Sequence, residues 1–208
     1  MISLLCPTRG RPDRFAEMVE TANRTADGPI EIIARTDFDD PTLPDYEGVQ
    51  LVGPRVTLSD MWNQCAAEAS GDILMMCADD ARFRTHQWDR IVETAFGRYP
   101  DRIALIYGRD GHRDETMATL GFIHRRWYDL AGTFTWPGFS WDYADTFNYK
   151  IARQLNRLCY LPDLFIEHVV FKPDGAHQIR GDSEQEWADA QDALHVVFMR
   201  LRVEMRKR

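Results

Sequence analysis

The stretch Gly71-Asp-Ile-Leu-Met-Met-Cys-Ala-Asp-Asp-Ala-Arg-Phe83 joins an unbroken apolar run to two adjacent carboxylates. Every residue from Ile73 to Cys77 is apolar, a pattern typical of a central strand that is covered on both faces. Asp79 and Asp80 follow where this strand should end, and open α/β sheets bind their ligands at the carboxyl ends of strands. The stretch therefore predicts a buried strand of an α/β sheet that leads into a ligand site.

The carboxylate pair is compatible with two interpretations. Hard oxygen ligands at close spacing favour Mg²⁺ or Mn²⁺, and such an ion commonly completes its shell with phosphate oxygens of a substrate. A strand-to-loop turn in which one carboxylate accepts local N–H groups has the same sequence pattern. The pair alone does not choose between a metal-bridged diphosphate and a turn.

Composition narrows the class of protein. With 208 residues, 44% of them hydrophobic, the chain can bury a core as one large domain. A formal charge of −8 disfavours a general polyanion binder. The four cysteines are far apart and form neither a CxxC pair nor a disulfide framework. No charged leader or run of 18 apolar residues is visible, so we expect a cytoplasmic protein without a transmembrane segment.

Strand and helix patterns alternate four times in the first half of the chain. Predicted strands are 2–6, 29–34, 48–53, 73–77 and 103–107, and predicted helices are 13–26, about 57–69 with Thr57 or Ser59 as cap, and 88–99. This alternation is typical of parallel βαβ units. We therefore predict an α/β fold with a mixed, mostly parallel, Rossmann-like sheet flanked by helices.

The regular alternation of strand and helix patterns stops after about residue 110. We predict a strand at 116–123, a helix at 125–131, an aromatic loop at 133–140, a helix at 141–153, and short strands at 158–161 and 165–170. Residues 1–170 would form the main body of the domain. Residues 171–208 would add a mobile loop, 171–182, and a C-terminal helix that packs on the same domain, capped by Ser183 with Glu186. The end of that helix is basic, and the helix dipole favours cations at a carboxyl-terminal end. Contact with a membrane or with another subunit is the alternative explanation for these basic residues.

Several polar side chains follow the predicted strands. Thr8, Arg9 and Arg11 lie between a strand and a helix, where an anion can bind, although a solvated basic turn fits equally well. Asp37 and Asp39 leave the second strand at the same edge of the sheet. They could hold a base or ribose, or could be turn formers before a proline.

Two blocks of the sequence resemble the inverting GT-A glycosyltransferases of family 2. Ser70-Gly-Asp-Ile-Leu-Met-Met-Cys-Ala-Asp-Asp80 is similar to that family's "GD, apolar run, DD" segment. Ala144-Asp-Thr-Phe-Asn-Tyr-Lys-Ile-Ala-Arg153, followed by Tyr160-Leu-Pro-Asp163 and Glu167-His168, is similar to its "ED, R, PD, H" block. A first strand ending in Pro-Thr-Arg, an acidic exit from the second strand and a Trp-Asn pair agree in order and spacing. The resemblance implies a GT-A fold over about residues 1–170.

The resemblance also implies nucleotide contacts at the end of the first two strands. Pro7, Thr8 and Arg9 match the loop that contacts the nucleotide. An acid of the group that contains Asp37 and Asp39 matches the residue that binds the base.

Metal and catalytic roles follow in the same way. Asp80, with Asp79, matches the metal-binding motif, for which Mn²⁺ or Mg²⁺ is expected. His168 matches a position near the metal or the diphosphate, and a structural strand histidine remains the alternative. Asp145 matches the catalytic base.

Two positions depart from the family pattern. Ala144 stands where the family has an acid before the base, which leaves Asp142 as a second candidate base. From its spacing to the later residues of the block we expect Asp145 to be the base and Asp142 to bind acceptor or cap a helix. The exit of the second strand reads Arg-Thr-Asp-Phe-Asp-Asp instead of the typical Asp-Asp-Gly-Ser, which leaves the nucleotide open.

The implied function is a metal-dependent inverting glycosyltransferase of hexosyltransferase type that uses a nucleotide-diphosphate sugar, with a UDP-sugar as the first choice. The alternatives are a catalytically inactive sugar-nucleotide-binding module and a nucleotidyltransferase. The latter typically has a Gly-rich loop after its first strand, whereas Thr8-Arg-Gly-Arg-Pro12 has one glycine. The acceptor stays open among a glycan, a lipid-linked sugar, a protein, a small metabolite and a modified DNA base.

Overall fold

The computed structural model describes residues 1–42, 46, 48–169, 179 and 181–207. Within them, strands and helices alternate around one sheet. The strands are β1 (Ile2–Pro7), β2 (Ile30–Asp37), β3 (Val49–Gly53), β4 (Ile73–Met76), β5 (Ala81–Phe83), β6 (Leu105–Arg109), β7 (Phe122–His124) and β8 (Leu158–His168). The helices are α1 (Pro12–Thr25), α2 (Leu58–Glu68), α3 (Trp88–Gly97), α4 (Arg125–Ala131), α5 (Ala144–Leu155) and α6 (Ser183–Met205), with a 3₁₀ turn at Asp114–Thr116.

The eight strands have the order β3-β2-β1-β4-β7-β6-β8-β5. The pairs β1–β2, β1–β4, β2–β3 and β6–β8 are parallel, whereas β7 and β5 pair antiparallel with their neighbours. The prediction of a mixed, mostly parallel sheet flanked by helices is confirmed. Because β1, β2 and β4 run in one direction, the residues that follow them meet at one edge of the sheet.

Both faces of the sheet are covered, as the apolar run at the centre predicts. On β4, Ile73 and Met75 belong to the core shared with α1 and α3. Leu74 and Met76 face the opposite core, shared with α2, α5 and α6. All four are almost fully buried. The transfer of this much apolar surface from water fixes the strand at the centre of the fold.

Three predicted elements differ from the structure. The strand predicted at 116–123 forms only over Phe122–His124, because a 3₁₀ turn and a loop take up its first half. The two strands predicted near the end are one strand, β8, whose register against β6 shifts between Gly108 and Arg109. This irregularity accommodates Pro162, which has no N–H to donate. The strand β5 was not predicted, since three residues are too few to show an alternation.

The last helix is also capped differently from the prediction. Asp182, not Ser183, accepts hydrogen bonds from the backbone N–H groups of Glu184 and Gln185. Glu186 accepts from the backbone N–H of Ser140 at 3.0 Å and so holds the aromatic loop to α6. The predicted mobile loop falls mostly outside the described residues. None of the described helices is long and apolar enough to cross a membrane.

Candidate active site

A network of charges fills the edge of the sheet where β1 and β2 end. Arg9 Nη1 contacts Asp37 Oδ2 at 3.0 Å and Asp39 Oδ1 at 2.6 Å. Buried Arg35 approaches Asp37 from the other side, with Nη1 3.5 Å from Oδ1. Arg35 is itself held by Gln64 Oε1 at 2.5 Å. Asp37 therefore lies between two guanidinium groups, which explains how its carboxylate tolerates almost complete burial.

Asp39 differs from Asp37 in exposure. Its side chain is half exposed, and the hydrogen bond from Arg9 lowers the pKa of its carboxyl group. Arg9 thus neutralises the acidic exit of β2 while its side chain remains partly accessible. A nucleotide at this edge would meet Arg9 and Asp39 before the more deeply buried Asp37.

Asp79 is the more buried member of the carboxylate pair. Thr8 Oγ1 donates a 2.8 Å hydrogen bond to Asp79 Oδ2, and Arg11 Nη1 lies 3.2 Å from Oδ1. Burial, together with the charge of Asp80, raises the pKa of Asp79 to about 6 despite these contacts. Asp79 therefore joins the loop after β1 to the end of β4. The side chains of Thr8 and Arg11 are distant in sequence and are not local N–H groups, so the turn interpretation does not describe these contacts.

Asp80 points to a different partner. Its Oδ1 lies 3.1 Å from Nε2 of His168 at the end of β8. Burial alone would raise the pKa of Asp80, but the contact with His168 and the charge of Arg11 outweigh it and lower that pKa. For His168, burial acts to lower the pKa, and the charges of Asp80, Asp110 and Asp145 raise it overall. The two carboxylates of the motif thus serve different parts of the site.

Backbone hydrogen bonds fix His168 beside Asp80. The N–H of His168 donates to the carbonyl of Asp110 at 2.9 Å, and the N–H of Val169 donates to the carbonyl of Asp80 at 3.0 Å. The antiparallel pairing of β5 with β8, with Ala81 opposite His168, sets this register. The end of β8 is therefore held between the carboxyl ends of β4 and β6.

Asp110 belongs to the site although the sequence analysis did not select it. Its Oδ1 accepts three backbone N–H groups, from His112 at 2.8 Å, Arg113 at 2.7 Å and Asp114 at 3.0 Å. Burial would raise the pKa of Asp110, but these hydrogen bonds lower it. The available signal was its place shortly after a predicted strand, which it shares with Asp79 and Asp80.

Asp145 and Asp142 are separated by the start of α5. Tyr143 has a left-handed backbone with φ 69°, so the helix begins at Ala144 and the prediction that both aspartates share a helical turn is wrong. Asp142 is exposed and accepts a 2.7 Å hydrogen bond from Ser183 Oγ. Asp145 lies in the first turn, and its charge acts on His168. The charge of Asp145 therefore reaches His168, whereas the hydrogen bond of Asp142 is to α6.

The environment of Asp145 suits a proton acceptor. Its Oδ1 accepts from the backbone N–H of Thr146 at 2.6 Å and from Thr146 Oγ1 at 3.1 Å. Burial nevertheless raises the pKa of Asp145, because it outweighs the two hydrogen bonds from Thr146. A carboxylate with a raised pKa is a stronger base than an ordinary aspartate.

The donor groups at Asp80 fit a divalent metal of the Mg²⁺ or Mn²⁺ type. Asp80 Oδ1 is buried and receives no well-aligned hydrogen bond from the described residues, and an imidazole nitrogen lies beside it. Among those residues no group of three or more histidines, cysteines and acids is arranged to hold a metal. One carboxylate and one histidine are nevertheless sufficient where substrate phosphates and waters complete the shell.

Comparisons with known proteins agree with this fold. No protein-family model matches the chain, and no curated protein sequence matches it. Among solved structures, the mannosyltransferase PcManGT from Pyrobaculum calidifontis, in complex with GDP-Man and Mn²⁺, matches with a TM-score of 0.65 and 12% identity over 98% of this chain and 73% of its own.

TarS 1–349 from S. aureus matches in two complexes. The complex with UDP has a TM-score of 0.67 and 11% identity over 94% of this chain. The complex with UDP-GlcNAc has a TM-score of 0.64 and 12% identity over 96% of this chain. The present chain spans 64% and 66% of the length of these two TarS chains. The chain therefore has the GT-A fold of glycosyltransferases.

Proposed function

We propose that this protein is a metal-dependent glycosyltransferase that transfers a hexosyl group, with inversion, from a nucleotide-diphosphate sugar to a hydroxyl acceptor. One observation carries the proposal: Nε2 of His168 lies 3.1 Å from Oδ1 of Asp80, and the N–H of His168 donates to the carbonyl of Asp110 at 2.9 Å, so an imidazole and a buried carboxylate meet at the ends of the strands. Asp80 follows β4, Asp110 follows β6, and Asp145 lies in the first turn of α5, from where its charge also acts on His168. The ligands of the structural neighbours, GDP-Man with Mn²⁺, UDP and UDP-GlcNAc, support the donor class.

Asp145 is the proposed general base. Inversion requires a base on the face of the sugar opposite the leaving diphosphate, which takes the proton of the acceptor hydroxyl as that oxygen attacks. Thr146 orients the carboxylate, and burial strengthens it as a base. Asp142 is too exposed and too far into the loop to share this role; its partner is Ser183 on α6.

Asp80 and His168 are the proposed protein ligands of Mn²⁺ or Mg²⁺. A bound ion of this kind would neutralise the negative charge on the leaving diphosphate. Asp79 has its two oxygens directed at Thr8 and Arg11, so we assign it the role of holding the loop after β1 in place. Pro7, Thr8 and Arg9 would then line the nucleotide site.

The donor is proposed to be a UDP-sugar. Asp39, which is half exposed beside Arg9, and the more buried Asp37 would contact the base or the ribose through hydrogen bonds. The fit of a GDP-sugar must be compared directly, since one structural neighbour carries GDP-Man.

The decisive experiment measures the binding and turnover of UDP- and GDP-sugars with and without Mn²⁺. We expect Mn²⁺-dependent binding of the donor and the release of nucleoside diphosphate. Slow hydrolysis of the donor by water releases the same product, so this release can be measured before the acceptor is known. Pyrophosphate as the product would identify a nucleotidyltransferase. Binding without any product, also with candidate acceptors, would identify a binding module and refute the proposal.

A further inference from the structure

The helix α6 has two apolar stripes, and the described residues cover only one of them. The inner stripe, Ala190, Leu194, Val197 and Leu201, is buried in the core against α4 and α5. The outer stripe consists of Val196, Met199 and Val203, whose exposed fractions are 46%, 41% and 50%. These three are among the most exposed large apolar residues of the described chain. A cluster of such residues on one helix face is typical of a contact surface.

Further residues continue the line of the outer stripe in both directions along α6 and onto Arg206, which directly follows the helix, with the spacing of a helix–helix seam. Residues at alternating distances of four and three positions lie on it: Gln185, Asp189, Asp192, Val196, Met199, Val203 and Arg206. This is the spacing of positions a and d in a heptad repeat. The stripe is apolar in its centre and charged at both ends, so it has the form of a short two-helix contact with polar ends.

The charge along this stripe changes sign. Its amino-terminal part carries Asp189 and Asp192, and its carboxyl-terminal part carries Arg206, with Arg202 beside it. All four residues are exposed. The helix dipole favours the same polarity. It does not explain the exposed apolar residues between the two charged ends.

We propose that the outer stripe of α6 is the surface through which two copies of this chain pair, with the two helices antiparallel across a twofold axis. Asp189 lies seven residues before Val196, and Arg206 lies seven residues after Met199. A twofold axis between Val196 and Met199 therefore places Val196 opposite Met199 of the partner, and Asp189 opposite Arg206 of the partner. In this orientation the central apolar pair and the outer charge pair are each complementary to themselves, as an isologous contact requires, while Asp192 lies opposite Val203 of the partner between them.

A parallel arrangement would be unfavourable. It would place Asp189 opposite the same aspartate and Arg206 opposite the same arginine, and like charges across a helix pair repel each other. The contact involves one helix from each copy and is small beside the roughly 1,600 Å² of a standard interface. We therefore expect a weak dimer that dissociates on dilution. This inference is independent of the proposed enzymatic function.

Sedimentation velocity over two orders of magnitude in protein concentration tests the proposal. We expect the unmodified protein to show a reversible monomer–dimer equilibrium. Met199→Glu and Val196→Glu should each raise the dimer dissociation constant at least about tenfold, because they place charges at the centre of the contact. Val52→Glu is the matched control: Val52 is 51% exposed on the edge strand β3 and should leave the equilibrium unchanged. Circular dichroism checks that all variants are folded.

A charge exchange tests the orientation. Asp189→Arg alone and Arg206→Asp alone should each weaken the dimer, and the double variant should restore it. Both substituted residues are exposed, so folding should be preserved. A protein that is monomeric at every concentration, or a dimer insensitive to Met199→Glu, would overturn the proposal. Loss of the dimer in the double variant would overturn the antiparallel arrangement. Binding of a monomer to phosphatidylglycerol vesicles that Met199→Glu abolishes would assign the surface to a membrane instead.

Discussion

Asn63 holds the backbone of Thr135 from both sides. Its Nδ2 donates to the carbonyl of Thr135 at 3.0 Å, and its Oδ1 accepts from the N–H of Thr135 at 3.2 Å. The same Oδ1 accepts from Thr133 Oγ1 and from the N–H of Phe134. Thr135 Oγ1 in turn donates to the carbonyl of Ala144, the first residue of α5. A side chain of α2 thus positions the loop that leads to the proposed base.

We therefore predict that Asn63→Ala destabilises the protein by about 2–6 kcal/mol, because four hydrogen bonds worth roughly 0.5–1.5 kcal/mol each are lost. Urea unfolding measures this change. Asn23→Ala is the control, since exposed Asn23 makes one hydrogen bond to the carbonyl of Val19. Equal effects of the two substitutions would show that Asn63 does not fix the loop. In an assay of donor hydrolysis, we expect the turnover rate of Asn63→Ala to fall by a larger factor than its affinity for the donor, each relative to the unmodified protein.

Asp80→Asn tests the metal site. We expect it to abolish the Mn²⁺-dependent part of donor binding, because a neutral amide is a poor ligand for a hard cation. The free energy of unfolding should change little, since the lost attraction to His168 is offset by less repulsion from Asp79. Calorimetric titration with UDP, with and without Mn²⁺, measures the binding.

Asp163→Asn is the control for this substitution. Asp163 is an exposed carboxylate on β8, the strand that also carries His168. Its replacement should leave Mn²⁺-dependent binding unchanged. If Asp80→Asn retains full Mn²⁺ affinity, Asp80 is a structural residue and the metal has other ligands.

Asp145→Asn and Asp142→Asn separate the two candidate bases. Loss of a general base usually costs about 10²–10⁴-fold in rate. We expect that loss for Asp145→Asn in the rate of transfer, with donor affinity intact. Asp142→Asn should have a small effect, because this residue is exposed and accepts its hydrogen bond from Ser183 at the start of α6. The reverse ranking would move the base to Asp142.

The central strand and its two carboxylates could be predicted because hydrophobic burial leaves a local signal. The run from Ile73 to Cys77 is apolar on both faces, and β4 is buried on both faces. The start of α5 could not be predicted in the same way. The apolar periodicity of Phe147 and Ile151 continues back to Trp141 and therefore predicts a helix that begins there. In the structure the left-handed backbone of Tyr143 prevents this, and the helix begins one residue later, at Ala144.

Long-range pairing is the part of the site that sequence does not encode locally. The contact between Asp80 and His168 depends on the antiparallel register of β5 on β8, and β5 is too short to recognise. The burial of Arg35 next to Asp37 could not be predicted from the sequence either, because an arginine near the end of a strand is usually exposed to solvent. Such contacts follow from the order of strands in the sheet, which single-sequence periodicity does not determine.

The pH dependence of transfer tests the role of Asp145 independently of its removal. A general base must be ionised, so the rate should fall as the pH drops through the pKa of Asp145, which burial raises above the ordinary value for an aspartate. Thr146 Oγ1 donates a 3.1 Å hydrogen bond to this carboxylate and favours its ionised form. Thr146→Val removes that donor and keeps the shape of the side chain, so the pKa of Asp145 should rise further.

The acid limb of the rate profile should therefore move to higher pH in Thr146→Val, with the rate at high pH largely retained. Thr146→Ser keeps the hydroxyl donor and should keep the original limb. The profiles are measured as acceptor-dependent release of nucleoside diphosphate at saturating donor. A loss of rate that is the same at every pH would indicate a structural effect of the valine. A shift towards lower pH would contradict the assignment, because removal of a donor to a carboxylate cannot lower its pKa.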